Sequence, residues 1–187
     1  MVEEIVIVVK FRSVPWLTEP AIEFLEKYLA GECDGKAQVL EFGCGASTVW
    51  LGRRAHRVVS IDHKEEWYRY IQCRVGENVD LRLEKLPYDG VCTKFKDEEF
   101  DLVLIDGRKR VGCARATKRL VRAGGILMLD NAERRKYVGI YRLLKGWELK
   151  KGEQIKADTH GFYYRGWTTS WWRNKCSEKK RLNVLTH

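Results

Sequence analysis

Two glycines and four acidic residues are the positions in this sequence whose types and spacing could do chemistry. Gly43 and Gly45 close the apolar run "VLEF" and lead through "AST" into "VWLGRRA". Glycines spaced this way let a backbone approach a ligand closely, and a helix opening just after them offers unpaired N–H groups. The stretch therefore reads as a cofactor loop. A dinucleotide loop would carry a third glycine where Thr48 stands, and Glu41, two residues before Gly43, would repel a pyrophosphate. Asp62 ends "VVSID", 21 residues beyond Glu41, where a carboxylate can accept hydrogen bonds from two ribose hydroxyls. Asp106 ends "DLVLID", and the pair Asp130 and Asn131 ends "ILMLDN".

Positioning these residues requires elements that bring the ends of several apolar runs together. "AQVLEF", "RVVSID", "FDLVLID" and "GGILMLDN" are short apolar runs, and helical spacing fills the intervals "STVWLGRRA", "KEEWYRYIQCRV" and "KRVGCARATKRLV". Strands apolar throughout that alternate with helices predict a parallel sheet covered on both faces, a doubly wound α/β fold. Ligands of such sheets sit at the carboxyl ends of the strands, where all the residues above fall. Thr18 and Pro20 predict the start of a further helix carrying Ala21, Ile22, Leu25, Tyr28 and Leu29 on one face and stopped by Gly31. "MVEEIVIVVKF" reads as a strand rather than a signal peptide. Beyond Ala132 a helix is predicted around Arg134 to Leu144, then a β-pair in "GWELKKGEQIKA" and "GFYYRGWTTSWWR".

The 187 residues fit one domain: residues 1–36 as an N-terminal strand and helix, 37–131 as a cofactor-binding core, and 132–187 as a basic, aromatic C-terminal part. Lysines and arginines balance acids at 21 each up to Asn131, and the whole net charge of +9 arises beyond it, from 14 bases against 5 acids. Such a face attracts anions, from a small acceptor to nucleic acid, or is merely a solvated surface. No apolar run is long enough for a membrane span. The six cysteines are scattered without metal spacing, which favours reduced thiols and a cytoplasmic location.

S-adenosylmethionine satisfies both acids of the first loop and second strand, its charged amino acid end near Glu41 and its ribose at Asp62. With "VLEFGCGAST", "VVSIDH", "FDLVLIDG" and "LVRAGGILMLDN" the sequence resembles the class I S-adenosylmethionine-dependent methyltransferases from about Trp16 to Asn131, and "TTSWWRN" is similar to their terminal strand. The likeness is narrowest to small, Rossmann-like members without assigned substrates. It implies strand order 3-2-1-4-5-7-6 with an antiparallel last strand. It implies cofactor contacts at Glu41, Gly43, Gly45, Ser47 and Asp62, with His63 beside the adenosine and Asp106 at the edge of the same site. Ser47 stands where the family's third loop glycine lies.

A second resemblance, to catechol-type O-methyltransferases, implies Mg²⁺ held by Asp106, Asp130 and Asn131. Against it stand the bases of "GRKR" beside Asp106, which would compete for the carboxylates, and the alternative that Asp130 and Asn131 cap the following helix. Methyl transfer is an in-line displacement that needs positioning above all. Where a base is required, Asp106 is the first candidate, Asp130 its neighbour, and His160 in "DTHGFYYRG" either a second base or an exposed hairpin residue. The expected activity is O-methylation of a small or anionic acceptor. The alternatives are a nucleic-acid methyltransferase and a non-catalytic binding module that keeps the fold. A homodimer through the aromatic C-terminal part is possible on the same residues.

Overall fold

The computed structural model describes residues 14–157 and 163–175. The predicted N-terminal strand and His160 lie outside the described residues. Within them a seven-stranded sheet is ordered 3-2-1-4-5-7-6. Its parallel strands are β1 (Gln38–Phe42), β2 (Arg57–Asp62), β3 (Val79–Leu83), β4 (Phe100–Ile105) and β5 (Val121–Leu129). β6 (Glu148–Ala157) and β7 (Tyr163–Arg173) form the expected pair, with β7 antiparallel to β5.

β4 shows why the sheet has two covered faces. All six of its residues are buried, with Leu102 and Leu104 packed on one side and Val103 and Ile105 on the other. Helices α1 (Glu19–Lys27) and α2 (Ala46–Gly52) cover the first side, and α3 (Glu65–Gln72) extends it through Ile71. Helices α4 (Arg110–Thr117) and α5 (Val138–Leu143) cover the second. Trp171 and Trp172 project to opposite faces of β7 and both are buried, Trp171 stacked on Phe24 of α1 and Trp172 edge-on to Tyr141 of α5. Among the described residues no helix is long and apolar enough to cross a membrane.

Two boundaries depart from the periodicity. The helix expected over residues 109–121 ends at Thr117, because Val121 already pairs with Phe100 and a register shift between Phe100 and Leu102 admits the turn at Gly124, where φ is +81°. The helix expected from Arg134 begins only at Val138, after a 3₁₀ turn over Arg135–Tyr137. Asp130 and Asn131 therefore do not cap it.

Candidate active site

A cleft of about 1280 Å³ opens at the carboxyl ends of β1, β2, β4 and β5. Its floor is the loop from β1 to α2. Gly43 adopts φ +101°, and a Cβ there would lie 2.7 and 2.8 Å from the backbone N and Cα of Gly107. The first glycine thus lets the loops after β1 and β4 touch each other, a role the sequence reading assigned to ligand approach. Gly45 meets nothing within 4 Å of a built Cβ and faces open cleft. Thr48 turns the loop into α2, its hydroxyl accepting the Gly45 N–H at 2.9 Å.

Glu41 lies beneath this loop, fully buried and absent from the cleft lining. Its carboxylate accepts the hydroxyls of Ser47 at 2.5 Å, Thr48 at 2.6 Å and Ser60 at 2.5 Å. Burial raises its proton affinity, and the three hydroxyls oppose that rise. The expectation that Glu41 meets a ligand's charged end directly is not what the structure shows. The acid reaches the cleft only through the loop it orients, and Ser47 stands between them.

Asp62 does line the cleft, and it also ties the neighbouring loops. Its Oδ1 accepts the N–H groups of His63 at 2.6 Å and Lys64 at 2.8 Å, while Oδ2 accepts the Cys44 N–H at 2.9 Å. With about two acceptor sites on each oxygen, Oδ2 keeps room for one more donor. His63 lines the cleft too, its ring edge-on to Tyr88 and its Nδ1 buried without a hydrogen-bond partner. Trp67 and Tyr70 of α3 add an aromatic wall.

Asp106 and Asp130 are brought close enough for Asp130 to raise the proton affinity of Asp106, as the neighbouring strand ends predict. The metal expectation fails on their partners. Arg110, buried in α4, donates through Nη2 to Asp106 Oδ1 at 2.8 Å and to the Asp106 carbonyl, through Nη1 to the Asp130 carbonyl, and through Nε to the Gly107 carbonyl at 2.9 Å. The Asp130 carboxylate turns away, accepting Trp167 Nε1 and Thr169 Oγ1 of β7, each at 2.9 Å. Asn131 sits in the left-handed region at φ +49°. Among the described residues no group of three or more His, Cys, Asp or Glu could hold a metal. A fixed guanidinium already neutralises the acids that Mg²⁺ would need, so Asp106, Asp130 and Asn131 do not fit that ion.

Burial at the base of the cleft raises the Asp106 pKa to about 7, with Asp130 adding to the rise and Arg110 opposing it. Its side chain stays 30 % exposed through the cleft. Asp130 is raised by its own burial, which Thr169 and Arg110 offset.

The sequence places three bases, Arg108, Lys109 and Arg110, beside Asp106. The structure pairs Asp106 with Arg110, four residues on at the start of α4. Tyr88 was missed altogether. Its hydroxyl donates to the Arg108 carbonyl at 3.0 Å and accepts the Arg108 N–H, and it fills the space a Gly107 side chain would take. No periodicity around "LPYDG" signals that role.

Residues 40–132 match the family described as "Methyltransferase domain". No curated protein sequence matches the chain. Similar solved structures include precorrin 8W decarboxylase of Methanobacterium thermoautotrophicum, 19% identical with a TM-score of 0.59 over 88% of this chain and 94% of that one. The tRNA (m1A58) methyltransferase TrmI of Aquifex aeolicus is 16% identical, with a TM-score of 0.60 over 90% and 74%. The N-methyltransferase NodS of Bradyrhizobium japonicum, solved with S-adenosyl-L-homocysteine, is 15% identical, with a TM-score of 0.59 over 83% and 87%.

Proposed function

We propose that this chain, whose residues 40–132 match a methyltransferase domain, is a class I S-adenosylmethionine-dependent methyltransferase that moves the sulfonium methyl group to an oxygen of a small acceptor. The observation that carries this reading is the convergence on one cleft of the Gly43–Gly45 loop, Asp62 and Asp106. Gly45 leaves the floor open for the methionine end, Asp62 Oδ2 has an acceptor site for a ribose hydroxyl, and His63 and Trp67 flank the space beside Asp62 for the base. The residues present fit the cofactor.

When bound, the cofactor supplies an electrophilic methyl on a good leaving group. The protein's part is to hold the acceptor oxygen in line and to accept its proton. Asp106 fits the second task. One of its oxygens is held by Arg110, and the other has no hydrogen-bond partner among the described residues. With S-adenosylmethionine bound, the acceptor oxygen would take its methyl, S-adenosylhomocysteine would be the product released, and Asp106 would take the acceptor's O–H proton. Arg110 is a positioning residue whose donors are spent on Asp106 and three backbone carbonyls.

Calorimetry with S-adenosylmethionine, S-adenosylhomocysteine and NAD tests the premise. Binding of both sulfur ligands and not NAD is expected. Silence for both would remove the enzyme reading, and binding without transfer to any oxygen acceptor would leave a binding module.

A further inference from the structure

The acceptor half of the cleft has an unbalanced charge. The nucleoside side, built on β1, β2 and α3, carries Asp62 and Lys64. The side beyond β4 and β5 is lined by Arg108 and Lys109 from one loop and by Arg134 and Lys136 from the other. Two acids lie on that side, Asp106, which is bonded to Arg110, and Asp89, which stands against Gly112 of α4, so the four bases outnumber them. Arg108, Lys109 and Lys136 make no ion pair among the described residues, and Arg134 has only Glu133, at 3.7 Å and half-exposed.

The first loop is held rigidly, as a recognition element must be. Tyr88 bonds both the N–H and the carbonyl of Arg108, Arg110 Nε holds the Gly107 carbonyl, and Lys109 is set at φ +52°, a conformation unfavourable for a side chain with a Cβ. Four like charges in one concavity repel one another, and the low-dielectric walls sharpen their field. An anion relieves that repulsion. Trp16, Leu17, Val111 and Tyr137 line the cleft alongside them, so the complementary ligand has an apolar body as well as a charge.

We propose that the loops after β4 and β5 form an anion clamp and that the methyl acceptor is a small molecule with a phosphate or carboxylate group on an apolar body. This rests on the methyltransferase reading above. A concave site with an apolar lining suits a compact acceptor better than a polynucleotide, which needs basic charge continued along a strand path.

The test is calorimetry on the full chain saturated with S-adenosylhomocysteine, using phenyl phosphate, benzoate and a short single-stranded RNA as probes. Phenyl phosphate or benzoate should bind, and the stronger of the two identifies the anionic group. Arg108→Gln/Arg134→Gln should weaken that binding about tenfold, and Lys145→Gln, exposed and outside the cleft, should leave it unchanged. If the first double variant unfolds below the parent's temperature, Lys109→Gln/Lys136→Gln provides the same comparison. The proposal is overturned if neither small anion binds, if binding is indifferent to both double variants, or if only RNA binds, with a steep salt dependence. Failure of S-adenosylhomocysteine itself to bind would instead overturn the cofactor reading, and this inference with it.

Discussion

Asp62 has two duties, and a substitution there tests both. Replacing it with alanine removes a charged acceptor from the cleft and releases the N–H groups of Cys44, His63 and Lys64. Affinity for S-adenosylhomocysteine should fall by roughly 1–3 kcal/mol by calorimetry, and Asp62→Asn, which keeps two acceptor sites on one oxygen, should lose less. Unchanged affinity would show that the nucleoside lies elsewhere. Arg110 is the residue whose loss should be felt most in stability. Arg110→Ala leaves the carbonyls of Asp106, Gly107 and Asp130 without their donor and the Asp106 carboxylate without its cation. Thermal or denaturant unfolding should report a loss of about 2–4 kcal/mol, discounted for the 30 % exposure of Asp106. Because the guanidinium takes the cation's place, methyl transfer by the parent protein should be indifferent to EDTA and to added Mg²⁺. A fall in rate on chelation would overturn the assignment of Asp106 to Arg110.

At the scale of elements, the site depends on how closely the loops after β1 and β4 can approach. Gly43 and Gly107 meet backbone to backbone, and Tyr88 closes the far side of Gly107. Gly43→Ala would force a Cβ into that contact and hold alanine at φ +101°, so a loss of about 1–3 kcal/mol in unfolding free energy is expected. Gly45→Ala meets no protein atom; it should leave stability nearly unchanged and weaken S-adenosylhomocysteine binding by filling the cleft floor. The pair of variants separates the two glycines, which sequence spacing alone treats as equivalent. If both cost the same stability, the packing role of Gly43 is wrong.

Across the whole molecule, three buried acids, Glu41, Asp106 and Asp130, share raised proton affinities caused first by burial. A carboxyl whose folded pKa exceeds its unfolded value stabilises the fold fully below the ordinary carboxylate range and loses that contribution as pH rises through the raised value. For Asp106 the window runs from its ordinary 3.8 to about 7. The melting temperature should therefore decline from pH 5 to pH 8, and Asp106→Asn should flatten the decline. Methyl transfer to a hydroxyl should rise over the upper part of the same window, as Asp106 becomes able to accept a proton. A rate that falls there would remove Asp106 as the base. The fold was legible in the sequence because apolar runs such as "FDLVLI", buried on both faces, have no alternative but a covered parallel sheet, and the strand ends then carry Asp62 and Asp106 to one edge. The same local pattern marked Gly43, Gly45 and Ser47. What lies across the chain was not legible. That Arg110 rather than a metal neutralises Asp106, that Tyr88 pins Arg108, that Trp167 and Thr169 claim Asp130, and that bases of the C-terminal third join Arg108 and Lys109 in one cleft are matters of distance in space. Periodicity reports which way a side chain points along its own element, and only the packed sheet determines which partner it meets there.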